Sequence, residues 1–368
     1  MLTIILTNLS RRPMRTTFTA AGIAVGVATI VALLSFTAGL KQTAEGLVHL
    51  GGSELGVFQA NVSDPTSSIL PGSLVGKLQE KPYVAEATPL VLMVEALKDE
   101  PGAVVFGADQ QSFFAKNMVI VAGGRLRDEA KEALVGERLA AQSKLRVGDM
   151  VAISGRQFRV AGIYDSGIQF EDGGAVLGLE QARRLAGRPN EETNVILRLS
   201  PNVKASEAAA KIEHEFEGTQ TISTPEQALR AGANATLISK AILVIVVIAL
   251  IVGAISVTNT MAMSIMERKG ELGLLSTVGW SPLRVATLVL GEGIAVSALG
   301  AAAGLLFGVI GGDLLVKALG VSSYISPSVT AWGLGRGLLV GVAIGVLGGI
   351  YPAWRVTRMT PLRALAGT

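Results

Sequence analysis

The sequence contains no cysteine, so disulfides, thiolate metal sites and cysteine nucleophiles are excluded. Histidine is nearly absent too. His49 and His214 are the only two, too few for a histidine-based metal or acid–base centre, and each is read as a solvated or capping residue. Charged residues make up only 17% of the chain, against about a quarter in soluble domains. The spacings that mark unaided catalysis are missing. There is no Gly-x-x-x-x-Gly-Lys-Ser/Thr phosphate loop, no His-Glu-x-x-His and no Gly-x-Ser-x-Gly. Asp165, Glu171 and Asp172 stand close together but belong to no convergent motif, and they read as solvated loop residues. The chain therefore reads as a non-enzyme on its own, with no metal and no cofactor of its own.

What the sequence does contain is long apolar runs. Hydrophobic residues form 49% of it, concentrated in four charge-poor segments long enough to cross about 30 Å of hydrocarbon. They span residues 17–40, 237–263, 285–315 and 331–351; the third carries Glu292 and Asp313, and Pro352 closes the fourth. Arg11, Arg12 and Arg15 precede the first span. Arg268, Lys269 and Arg284 fall between the second and third, and Arg355, Arg358 and Arg363 follow the fourth. Four crossings place all three clusters on one side, so both termini and the 264–284 loop are expected in the cytoplasm. The pI of about 9.2 then reflects membrane topology and not nucleic-acid binding. A cleaved signal peptide is the rival for residues 17–40. The length of that run, and the positive-inside pattern that cleavage would strand, favour an uncleaved helix.

This topology puts residues 41–236 and 316–330 outside, and leaves 1–16 (an amphipathic N-terminal segment) and the tail 352–368 inside. The outer segment reads as an α+β domain. Glu54–Gln59 is a strand, Pro71 opens a helix to Gln79, and Val84–Leu97 is a second strand. The order recurs with a strand from Asn194, a helix over Lys204–Phe216 and a strand from Thr219. Two such halves predict a ferredoxin-like split sheet. Between them, residues 98–190 are expected to be an inserted β-rich subdomain. Within it Ala133–Leu145 is helical, Arg146–Asp149 is a turn, and strands 151–153 and 157–163 make a hairpin. A helix from Pro225 is expected to run into the second span, with Gly232 the one breaker between them.

Three features within the membrane part draw attention. Gly22 and Gly26, and Gly300, Gly304 and Gly308, stand four apart, a spacing that lets helix backbones approach, either within one chain or across a dimer. Glu292 is an acid in an apolar helix, a candidate functional group. It also lies near enough to the interface to pair locally, for example with a loop arginine. The loop Met263–Pro282 carries apolar Ile265, Met266, Leu272, Leu275 and Val278 near helical spacing, beside Glu267, Arg268, Lys269 and Glu271. Gly279 supplies the stop and Pro282 suits the next helix start. Such a helix lies on lipid or docks into a partner, and its mixed charges favour a protein partner.

The segment Glu267-Arg-Lys-Gly-Glu-Leu-Gly-Leu-Leu-Ser-Thr-Val-Gly resembles the coupling helix of ABC transporter permeases of the MacB/LolC/FtsX type. The tail from Tyr351-Pro-Ala-Trp to Pro361-Leu-Arg-Ala-Leu is similar to the family ending. Arg12–Gly26 and Gly291-Glu292-Gly293 resemble its first and third spans. The resemblance implies a four-span permease in the inner membrane, with an extracytoplasmic ferredoxin-like part carrying a β-rich insertion. It implies a second permease, as a homodimer, and two copies of an ABC ATPase that bind ATP and Mg. MacB carries a fused ATPase domain that this sequence lacks, so the ATPase is expected on another polypeptide. Met266, Glu267, Arg268, Lys269, Glu271, Leu272, Leu275 and Gly279 would dock it. Nucleotide-driven motion would reach the outer domain by mechanotransmission and extrude a hydrophobic or amphipathic cargo, with a periplasmic adaptor as a possible partner. The alternative is FtsX-like signalling to an extracellular enzyme such as a cell-wall hydrolase; a passive scaffold without ATPase is a third reading.

Overall fold

Residue 40 does not end the first helix. In the computed structural model, α1 (Pro13–Val48) continues past Lys41, because an inward-facing stripe persists at Ala44 and Val48 after the outward residues turn polar. The structure describes residues 13–62, 65–98, 100–127, 131–231, 235–323 and 325–358. The basic residues Arg11, Arg12 and Arg363, and the junction at Gly232, lie outside them.

The chain divides into two compact units. One comprises residues 37–238 and 316–326, so the loop after the third span belongs to the same unit as the sheet. Its first elements are β1 (Leu55–Gln59), β2 (Leu70–Pro71), α2 (Ser73–Gln79) and β3 (Val84–Leu97). Pro71 thus closes a short strand, and the helix opens only at Ser73, after Gly72. The middle of the unit holds β4 (Glu100–Ala108), α3 (Phe113–Lys116), β5 (Val119–Gly123), β6 (Glu132–Gly136), α4 (Glu137–Ser143), β7 (Met150–Ile153) and β8 (Arg156–Asp165). Then come α5 (Gln169–Asp172), β9 (Gly174–Gly178), α6 (Leu179–Ala186), β10 (Glu191–Glu192), β11 (Asn194–Leu199), α7 (Ala205–Glu215), β12 (Thr219–Ile222) and α8 (Pro225–Ala231).

The units β1-α2-β3 and β11-α7-β12 interleave in the order β12-β1-β11-β3, every neighbour antiparallel. This is the ferredoxin-like split βαβ arrangement. The inserted strands do not form a second sheet. They extend the first through β3, giving one ten-stranded sheet that continues β4-β9-β6-β8-β5, with β7 pairing β3 and β8. Its central strands are buried on both faces. In β4, Ala103 and Val105 enter one core, while Val104 and Phe106 enter the other. A strand buried on both faces reads as a continuous apolar run instead of an alternation. That corrects the helix expected over Ala133–Leu145. Ala133, Leu134 and Val135 belong to β6, wedged between β8 and β9, and the helix α4 starts only at Glu137.

Glu171 also differs from expectation. It is fully buried, because Gly51, just beyond α1, donates its N–H to Glu171 Oε1 at 2.7 Å. Tyr164 Oη donates to the Glu171 carbonyl at 2.6 Å, while the second carboxyl oxygen accepts no hydrogen bond. Burial pushes this carboxyl up to about 8, with nearby Asp172 adding to the rise.

The other unit is the helical bundle: α9 (Ala235–Glu267), α10 (Lys269–Thr277), α11 (Pro282–Ala318) and α12 (Ala331–Thr357), with the first part of α1. Four of its helices are long and apolar enough to span a membrane. Gly300, Gly304 and Gly308 let α11 lie on α1; a Cβ at Gly304 would stand 2.7 Å from the Ala24 carbonyl oxygen. That strip is therefore occupied within the chain. Gly22 and Gly26 meet α9 more loosely, at Ser256 and Ala249. Thr258 Oγ1 donates to the Gly348 carbonyl at 2.8 Å, and Thr19 and Thr260 hydroxyls bond at 2.9 Å. On α12, Arg336 lies over Trp332 and Arg358 over Trp354. The two tryptophans are separated by about 33 Å of helix, which suits the two interfaces of a bilayer.

Two outcomes follow from these contacts. Gly304→Val drives a branched side chain into Val27 and is expected to cost about 2 kcal/mol, read as a lower melting temperature of the detergent-solubilised chain. For Glu171, the folded value near 8 exceeds the ordinary 4.5, so the folded state holds more protons between those values and stability falls as pH rises through that window. Glu171→Gln keeps an acceptor for Gly51. It is expected to match wild type closely at pH 4.5 and to exceed it by about 4–5 kcal/mol at pH 8.5 in chemical denaturation of the detergent-solubilised chain.

Candidate functional site

The site forms where α9 ends. The helix stops at Glu267, Arg268 makes the corner, and α10 follows until Gly279, at φ +97°, terminates it. Ser281 then accepts from the Arg284 N–H through its hydroxyl, and Pro282 opens α11.

Arg268 ties the corner to α11. Its Nη1 donates to both Glu292 oxygens, at 2.9 and 3.2 Å, and its Nε donates to Glu271 Oε2 at 3.0 Å. Glu292 is only 7% exposed. A carboxylate at that depth is expensive without a partner, and Nη1 of Arg268 lies within hydrogen-bond distance of both its oxygens. The Arg268–Glu271 contact is exposed at its acidic end and adds little by itself. Its effect is geometric, holding the first turn of α10 against the same guanidinium.

With the corner fixed, α10 has a defined inner and outer face. Leu272 (5% exposed) and Leu275 pack into the bundle core with Val285, Val289 and Trp280. Both were expected among the docking residues; in the structure Leu272 is buried in the bundle core and Leu275 is partly buried against it, so both anchor the helix. Met266, Glu267 and Glu271 are exposed as expected, and Lys269 is half-buried. Leu274 (58% exposed) and Val278 (74%) complete the outer face; Leu274 was missed. The signal for it exists in the spacing: 271, 274 and 278 follow one helical stripe, with Glu267 exposed at the corner before it. It was masked because Leu272, Leu274 and Leu275 are adjacent leucines and composition cannot tell which of them faces in.

The outer face thus offers two carboxylates and three apolar side chains on a helix whose other side is buried. No group of three or more histidine, aspartate or glutamate residues among the described residues could hold a metal ion. The exposed face, apolar and acidic, follows directly on a membrane helix.

Comparison with known proteins agrees with this layout. Residues 16–215 match the MacB-like periplasmic core domain, and residues 243–361 match the FtsX-like permease C-terminal domain. The chain belongs to the MacB/FtsX-like ABC permease family. The FtsX-like match contains α10, Arg268 and Glu292. The chain is 26% identical to a macrolide export ATP-binding/permease protein, MacB, of Hahella chejuensis, over 96% of this chain and 58% of the relative. It is 28% identical to a pyoverdine export ATP-binding/permease protein, PvdT, of Pseudomonas putida, over 95% of this chain and 57% of the relative. An ABC transporter permease of Methanocaldococcus jannaschii is 27% identical over 61% of this chain and 58% of its own length. The chain therefore spans less than two thirds of the length of these relatives. Family membership and four apolar helices make it a membrane protein.

Removing one member of the Arg268–Glu292 pair strands a buried charge. Arg268→Ala is expected to cost about 3 kcal/mol in denaturation of the detergent-solubilised permease, whereas Arg268→Met with Glu292→Leu recovers most of that loss. Glu271→Ala, removing an exposed partner, is expected to change stability by less than about 0.5 kcal/mol.

Proposed function

We propose that this permease docks an ABC ATPase on the outer face of α10 and converts ATP-driven movement of that helix into movement of the sheet unit. The carrying observation is the Arg268–Glu292 bridge beneath the exposed face of Glu267, Glu271, Leu274 and Val278. A load on α10 is delivered to α11 through a nearly buried ion pair instead of being absorbed by a loose loop. ATP and Mg are bound by the ATPase, outside these 368 residues.

The loop carrying α10 lies on the cytoplasmic side of the inner membrane, with both termini; Arg268, Lys269, Arg284, Arg355 and Arg358 at the helix ends support this orientation. Two permease chains and two ATPases make the working assembly. The sheet unit then acts on the far side, and the cargo is an apolar or amphipathic molecule extruded there. Relatives named for macrolide and for pyoverdine export support export over signalling to an extracellular hydrolase, without fixing the cargo.

The test is co-purification from membranes with an ABC ATPase, followed by ATP turnover. Leu274→Asp and Val278→Asp are expected to weaken ATPase binding at least tenfold, about 1.4 kcal/mol, while the variants still melt as wild type does. Undiminished binding in both variants contradicts this docking face.

A further inference from the structure

Two short segments of the sheet unit are continuations of membrane helices: the end of α1, from Thr37 to Val48, and the loop after α11 up to Ser326. Both are held by the same pair of small helices in the inserted segment. Arg138, on α4, donates through Nη2 to the Ser322 carbonyl at 3.2 Å and to the Ser326 hydroxyl. Gln142, one turn on, donates to the same carbonyl at 3.0 Å. The Ser322 hydroxyl donates to the Glu100 carboxylate at 3.1 Å, and the Ser323 hydroxyl to the Gly102 carbonyl at 3.2 Å. Gly320, at φ +67°, turns the loop down against Pro101, where a Cβ has no room.

α5 holds the other segment. Gly46 lies on Phe170, leaving only 2.7 Å between a Cβ there and Phe170 Cβ, and the Gly51 N–H bonds to Glu171. The two small helices are locked together, since Gly136, at the α4 start, sits against the Asp172 carbonyl with no space for a side chain. The circuit closes on the far side, where Gly39 of α1 packs directly on the Ser326 carbonyl. Four bodies in a ring, each contact either a hydrogen bond or a glycine-sized approach, cannot shift one at a time without breaking something.

We propose that α4 and α5 form a clasp that binds the end of α1 and the loop after α11 into one mechanical body with the sheet. Displacement of either segment is then passed to the sheet through the inserted segment and not only through the ferredoxin-like strands. As a device for ATP-driven motion the clasp rests on the function proposed above; as a coupled body it stands on its own contacts. The inserted segment, on this account, is the receiver of motion and not an appendage.

The test perturbs the loop and reads the far side of the ring. The full chain is placed in lipid nanodiscs and amide hydrogen exchange is followed in wild type, in Arg138→Ala with Gln142→Ala, and in Gly320→Ala, which leaves α4 untouched. Both variants are expected to speed exchange at the loop amides 320–326. Both are also expected to speed it at least tenfold at Gly51 and in the last turn of α1, while β4 and β9 stay protected. If the loop accelerates but Gly51 and α1 change by less than twofold, or if the loop itself does not respond, the clasp is overturned. If β4 and β9 lose protection in the double variant, Gly320→Ala alone decides by the same readout. Failure of an ATPase to bind α10 leaves every one of these rates unaffected, so it refutes the docking proposal and not the clasp.

Discussion

A carboxylate inside an apolar membrane helix calls for a cation, and in this chain Arg268 supplies one. Arg268 reaches Glu292 from the corner between α9 and α10, so the cost of burying the acid fixes the geometry of the whole turn. Once that corner is set, Leu272 and Leu275 must pack inward, and Glu267, Glu271, Leu274 and Val278 must face out. The exposed stripe is in this sense a consequence of the ion pair. In the bundle beneath it, α11 rests on α1 along three glycines, with the helix backbones in close contact.

The sheet unit follows a similar logic at its own scale. A single sheet runs from the ferredoxin-like strands through β3 into the inserted strands, with apolar side chains on both faces of its centre. Bending such a sheet would open two cores at once. Its link to the helix ends is polar and close-fitting, made by Arg138, Gln142 and Glu171 with glycines at the points of approach.

The spans were legible in the sequence because hydrocarbon tolerates little charge, and the strand Val84–Leu97 was legible from its pattern. The β7–β8 hairpin was legible from Ser154-Gly155, which both adopt positive φ. What escaped depended on partners distant in the chain. Glu171 looks like a loop acid until Gly51, 120 residues earlier, is placed beside it. Ala133–Val135 looks helical until β8 and β9 flank it. The residues after Lys41 do belong to the sheet unit, but that they continue the first helix escaped because their buried stripe, Ala44 and Val48, is thin. Within the site, a loop arginine as the partner of Glu292 was legible, and Arg268 is that arginine. The inner and outer leucines of α10 were not, since three leucines within four residues look alike until the pair sets the rotation of the helix.

The central claim is that the outer face of α10 receives the ATPase while its inner face is locked to the bundle. The direct measurement is photo-crosslinking in native membranes, with a photoreactive residue placed in turn at Leu274, at Val278 and at Leu339, which faces outward on α12. The account predicts adducts with an ABC ATPase from positions 274 and 278 and none from 339. ATPase adducts from 339 alone, or none from 274 and 278 while the ATPase co-purifies, would contradict it.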